Sequence, residues 1–127
     1  MNTPEVIRVC GDKALTSDAL VRNNVPTPDV RIAFDNDTAL SVMEDMGYPV
    51  IIKPVIGSWG RLLAKVENTN SAESILEHRS TLGGFQYSVI YIQEYIEKPG
   101  RDIRAFVIGD ETVCAIYRSS EHWITNT

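Results

Sequence analysis

Residues able to neutralise and hold a polyphosphate concentrate between Tyr48 and Leu63, in the run Tyr-Pro-Val-Ile-Ile-Lys-Pro-Val-Ile-Gly-Ser-Trp-Gly-Arg-Leu-Leu. An apolar strand ends at one fixed cation, Lys53, and a loop punctuated by Gly57 and Gly60 follows it. Glycine permits backbone conformations and approach distances that a Cβ forbids, so the amides of this loop can come close to an anion. The same residues would also make an ordinary hairpin turn. Lys13, at the start of a helix, is a second cation that can point into the same cleft, or else a solvated surface lysine. Neither common phosphate fingerprint is present: there is no GxxxxGK[ST] run, and Gly57-Ser-Trp-Gly60 does not precede a helix.

A second constellation is Ile92-Gln-Glu-Tyr-Ile96, followed by Lys98-Pro-Gly-Arg-Asp-Ile-Arg104. A strand ending in Gln93 and Glu94 offers a carboxylate and backbone groups that suit a purine edge and ribose hydroxyls. Glu94 would serve equally as a solvated strand-end charge. Strand side chains repeat every second residue, so Asp102 and Arg104 share a face. They read either as a structural ion pair or as a ribose contact and a phosphate or carboxylate contact. His122, beside Trp123, reads as a packing residue before a general base, and His78 as a solvated helix position.

The elements that must position these groups follow from local pattern. Asp12 is a good N-cap for a first helix carrying Leu15, Ala19 and Leu20, and Asn23-Asn24 offers its stop. A second helix is predicted from Asp37 or Thr38 to Met46, with Ala39, Leu40, Met43 and Met46 inward and Gly47 beyond its end. Pro49–Val55 is the Lys53 strand, with Leu62–Val66 as its antiparallel partner. A third helix is predicted over Ser71–Leu82 with an Asn70/Glu73 capping box, its inward face Ala72, Ile75, Leu76 and Leu82. Val89–Ile96 is β-branched and aromatic, hence strand. Asp102–Ile108 and Thr112–Arg118 alternate about a Gly109-Asp110 turn. Helices covering largely antiparallel strands make the fold class α+β.

The whole chain, 127 residues with 43% apolar and 23% charged side chains, suffices for one modest domain. A net charge of −5 argues against a nucleic-acid partner. No apolar run reaches the roughly 20 residues of a membrane span, and the start lacks a signal peptide, so the expected site is the cytoplasm. Cys10 and Cys114 read as two reduced thiols without metal-ligand spacing.

Taken in order, lysine strand, glycine lid, helix, Gln-Glu-Tyr strand and Asp-Ile-Arg strand resemble the ATP-grasp enzymes, which clamp ATP between two α+β subdomains. Gly11-Asp-Lys13, Pro49-Val-Ile-Ile-Lys-Pro54, Gly57-Ser-Trp-Gly-Arg-Leu-Leu63, Gln93–Arg104 and Ser120-Glu-His-Trp-Ile-Thr-Asn-Thr127 are similar to the RimK-type branch. Within it they look most like the LysX-type ligases of lysine biosynthesis. On that resemblance, residues 1–11 are a linker from a missing N-terminal domain, and residues 12–127 are an ATP-grasp domain without its C-terminal metal-binding part. The fold is thus expected to be incomplete at both ends and inactive alone.

The resemblance also implies roles. Lys13 and Lys53 would contact phosphates, while Gly57, Ser58, Trp59, Gly60, Arg61, Leu62 and Leu63 would form the lid. Gln93, Glu94, Tyr95 and Ile96 would contact adenine, Asp102 the ribose, and Arg104 a phosphate or carboxylate. Arg118 and Asn126 would stand near the amino-acid substrate and the reacting phosphate, with Thr125-Asn126 selecting side-chain length. ATP and Mg2+ are the implied cofactors, the metal ligands falling downstream of Thr127. The implied reaction joins 2-aminoadipate, through its amine, to the C-terminal glutamate of a small acidic carrier protein by way of an acylphosphate. A sibling ligase using glutamate, for arginine synthesis or protein glutamylation, and a non-catalytic nucleotide-binding fragment are the alternatives. Relatives tend to form homo-oligomers.

Overall fold

The computed structural model describes residues 1–57, 60–84 and 88–125, with Leu82 described by its backbone alone. The chain divides into two compact units, Met1–Tyr95 and Ile96–Thr127.

In the first unit, α1 (Pro4–Gly11) lies where a connecting segment is expected, its N-terminus closed by the Thr3 hydroxyl and Pro4 in the first turn. Asp12 caps α2 (Lys13–Arg22) as expected, its Oδ1 accepting from the amides of Ala14 at 2.8 Å and Leu15 at 3.1 Å. Then come β1 (Val30–Ala33), α3 (Asn36–Met46), β2 (Val50–Lys53), β3 (Ala64–Val66), α4 (Thr69–Leu82) and β4 (Ile90–Glu94). The four strands form one antiparallel sheet in the order β1-β4-β2-β3.

The core lies on one face of that sheet. Ala33, Val50, Ile52, Val66, Ile90 and Ile92 pack there against Ala39 and Met43 of α3 and Ala72 and Leu76 of α4. Leu40, Met46 and Ile75 border the same cluster, so the inward faces expected of both helices hold, apart from Leu82, whose side chain lies outside what is described. Helix α2 behaves otherwise, for none of its residues is buried.

Several boundaries differ from the sequence reading, each for a local reason. Helix α4 is capped by Asn68, not Asn70: Asn68 is extended and its Oδ1 accepts from the Ser71 amide at 2.9 Å. Asp35 caps α3 by accepting from the Thr38 amide at 2.8 Å, so the helix starts at Asn36. Leu62 sits at φ +58, outside extended geometry, which delays β3 to Ala64. Tyr95 and Ile96 fall beyond β4. Strand β1 is absent from the sequence reading.

The second unit is a hairpin of β5 (Arg101–Ile108) and β6 (Glu111–Ser119), close to the expected pair. Gly109 takes φ +63 at the turn, where a side chain would be strained. The register shifts between Phe106 and Val107, a bulge that interrupts the simple alternation.

Candidate functional site

Strand register assembles the first unit's polar groups. Ile51 lies opposite Gln93 on β4 and Lys65 on β3, while Lys53 lies opposite Tyr91. Because side chains alternate, Lys53, Gln93, Tyr91 and Lys65 all stand on the face away from the α3–α4 core. Lys53 Nζ donates to Gln93 Oε1 at 2.6 Å, joining the two sequence motifs across β2 and β4. The Tyr91 hydroxyl meets Ser17 Oγ of α2 at 2.8 Å, and burial pushes the phenol's pKa upward against the pull of that bond.

Lys13 reaches the same strand's continuation. Its amide donates to the Val55 carbonyl at 3.0 Å, and its Nζ donates to the Gly57 carbonyl at 2.7 Å. A bridge between Asp12 and Ile56 completes the contact. Burial holds the Lys13 ammonium below its ordinary pKa, partly offset by the Asp12 carboxylate. An ammonium that has already shed some water loses less when it meets an anion.

The loop after β2 has the glycine geometry that close backbone approach needs: Gly57 at φ +134 and Gly60 at φ +63. Arg61 and Leu62 are exposed and Leu63 half-buried. Ser58 and Trp59 lie outside the described residues. At the end of β4, Glu94 receives the Asp29 amide on its carboxylate at 2.9 Å, and its own amide donates to the Asp29 carbonyl at 3.0 Å. Lys65 Nζ sits 4.5 Å from the centre of the Tyr95 ring and 2.9 Å from Glu67.

In the second unit, Asp102 pairs with Arg118 rather than Arg104. The two are directly opposite in the hairpin register, and Arg118 Nε and Nη2 reach the two carboxylate oxygens at 2.7 and 2.6 Å. The cross-strand neighbour wins because it presents both nitrogens of its fork to one carboxylate. Thr125, 8% exposed, donates to Asp102 Oδ2 at 2.5 Å and accepts from Lys98 Nζ at 2.7 Å. Arg118, Thr125 and Lys98 together hold the Asp102 carboxyl below its usual range, the Arg118 hydrogen bond being the largest cause. Arg104 and Ile96 are exposed, and Asn126 lies outside the described residues.

Sequence reasoning missed Lys65 and Lys98. Lys65 stands within the predicted Leu62–Val66 strand and Lys98 within the quoted Gln93–Arg104 run; neither spacing says which neighbour it meets. Cys10 and Cys114 are free and exposed. Among the described residues, no cluster of three His, Cys, Asp or Glu side chains fits a metal ion, and no helix is long and apolar enough to cross a membrane.

The family model of the RimK-like ATP-grasp domain matches residues 10–126. The chain is 49% identical over 119 residues to the alpha-aminoadipate–LysW ligase LysX of Saccharolobus solfataricus, covering 93% of this chain and 43% of that one. It is 41% identical over 128 residues to the glutamate–LysW ligase ArgX of Sulfolobus acidocaldarius, covering 99% and 45%. The crystal structure of a RimK domain ATP-grasp protein from Sphaerobacter thermophilus aligns with a TM-score of 0.76 at 28% identity, over 88% of this chain and 42% of that one. The chain thus spans less than half the length of the curated relatives it matches.

Proposed function

Since this chain belongs to the RimK-like ATP-grasp domain family, we propose that the protein is an ATP-dependent ligase of amino-acid biosynthesis, acting in the cytoplasm. It would join the amine of 2-aminoadipate to the C-terminal glutamate of a small acidic carrier protein. The observation that carries this reading is the bond from Lys53 Nζ to Gln93 Oε1, with Lys13 tied to Gly57 on the same strand's continuation. It supports the reading because the lysine that would meet phosphate and the strand end that would meet a purine share one sheet face.

The reaction has two steps. A carrier carboxylate oxygen attacks the γ-phosphorus, the bond to the β-phosphate oxygen breaks, and ADP leaves. The amine nitrogen then attacks the acyl carbon of the acylphosphate, the C–O bond to phosphate breaks, and the amine gives up a proton. The first step brings a carboxylate against a triphosphate, so the difficulty is charge repulsion. Lys53 and Lys13 would offset it, together with the amides around Gly57 and Gly60. A closed lid would also shield the acylphosphate from water. Bound Mg2+ would supply further charge neutralisation; among the described residues no cluster of three His, Cys, Asp or Glu side chains forms a site for it. A ribose contact by Asp102 would require that carboxylate to accept a hydroxyl while still holding Arg118.

Glutamate is the second reading, supported by the 41% identity to an ArgX ligase. The two acids differ by one methylene, worth roughly 1–3 kcal/mol of discrimination. The test is ADP release by the full protein given ATP, carrier and each amino acid in turn. Turnover preferring 2-aminoadipate is expected, and no turnover with either acid overturns the reading. Lys53→Met should lower kcat by about a hundredfold to a thousandfold while far-ultraviolet circular dichroism stays unchanged.

A further inference from the structure

The cluster at the open end of the hairpin carries a surplus of positive charge. Asp102 and Arg118 neutralise each other through two short bonds. Lys98 adds a second cation, and its ammonium bonds to the neutral Thr125 hydroxyl at 2.7 Å. Lys98 acts on the Asp102 carboxylate through space, as a lesser cause than Arg118, and its own hydrogen bond goes to Thr125 and not to that carboxylate. Three charged side chains therefore sum to one net positive charge around a buried hydroxyl.

The arrangement is also pre-set. The Gly100 amide donates to the Lys98 carbonyl at 2.8 Å, and the Ser120 amide donates to the Gly100 carbonyl at 2.9 Å. Gly100 takes φ +63, and a Cβ there would stand 3.2 Å from the Ser120 carbonyl oxygen, so this turn needs glycine. The backbone on either side of Lys98 and Asp102 is thus fixed to the end of β6. Thr125 uses its hydroxyl in both directions, accepting from Lys98 and donating to Asp102, which leaves the ammonium's remaining protons to other acceptors.

We propose that Lys98 is a binding residue for a substrate oxyanion, a carboxylate or a phosphate, and that Thr125 is the positioning residue that aims it. Such a contact adds an anionic acceptor to an ammonium whose hydrogen bond at Thr125 is to a neutral hydroxyl, and a bond charged on both sides is stronger than one charged on one side. The inference deepens the ligase reading and rests on it for the identity of the ligands, since amino acid and nucleotide each bring an oxyanion.

The test measures binding by calorimetry on the full protein, separately for ATP, L-2-aminoadipate and L-glutamate, so that it does not depend on turnover. Lys98→Met is expected to weaken one class, nucleotide or amino acid, at least tenfold and to leave the other within twofold. The affected class identifies the source of the oxyanion. Lys98→Arg should retain most of the affinity. Thr125→Val, which keeps shape and loses both hydrogen bonds, should weaken the same class about threefold to fivefold, and Thr125→Ser should restore it. Equal affinities for all three ligands in Lys98→Met, or an equal loss for all, overturns the inference. Intact wild-type binding without ligation would sink the ligase reading and leave this one standing.

Discussion

In β2 of the first unit Val50, Ile51 and Ile52 are all buried, whereas no residue of β5 or β6 in the second unit is. Both regions present charged side chains, and they support them by opposite means. Lys53 stands on a sheet whose reverse face is closed by Met43, Ala72 and Leu76, so its place follows from apolar packing behind it. Asp102 stands on a two-stranded hairpin, a form that is marginal in water by itself. Its place follows from Arg118, Thr125 and the turn at Gly100. Packing is insensitive to pH and intolerant of lost volume; an ion-paired network is the reverse.

The largest expected effect tests that contrast directly. Ile52→Ala should destabilise residues 1–95 by about 2–5 kcal/mol, because the side chain is fully buried and its loss removes apolar burial and leaves a cavity. Ile103→Ala, at a position 64% exposed, should change stability by no more than about 0.5 kcal/mol. Denaturant unfolding of both variants gives the comparison, and equal losses would erase it.

Next in size is the pH response of the hairpin. A carboxyl whose folded pKa is lowered contributes stability that is fully present above its unfolded value, about 3.9, and is lost as pH falls through the lower folded value. Carbon-detected NMR titration of Asp102 should therefore give a midpoint under that of an unpaired aspartate, and Arg118→Met should move it up. An unmoved midpoint would mean the pair does not form in solution.

The smallest effect sharpens the first region. Asn68→Ala should cost about 1 kcal/mol by removing the α4 cap, with Asn70→Ala nearly neutral, as read by thermal unfolding. A larger loss from Asn70→Ala would restore the capping box expected from sequence.

Much of this was legible in the residues, and the misses have a common cause. The Asp12 cap, the inward faces of α3 and α4 and the Lys53 strand depend on neighbours within a turn or two. Val30–Ala33 escaped notice because four residues carry too short a pattern, and its strand character comes from pairing with β4. Asn70 and Asn68 are chemically equal caps; the extended backbone at Asn68 decides between them.

By itself the order of residues determined the helices after α1, the apolar strands other than β1, the glycine loop and the candidate cations, since periodicity and turn chemistry act over a few positions. Only tertiary structure decided which groups meet: Lys53 with Gln93, Asp102 with Arg118, Lys98 with Thr125. Those pairs lie 16 to 40 positions apart along the chain, and strand register and loop closure, which no local pattern encodes, bring them within hydrogen-bond reach.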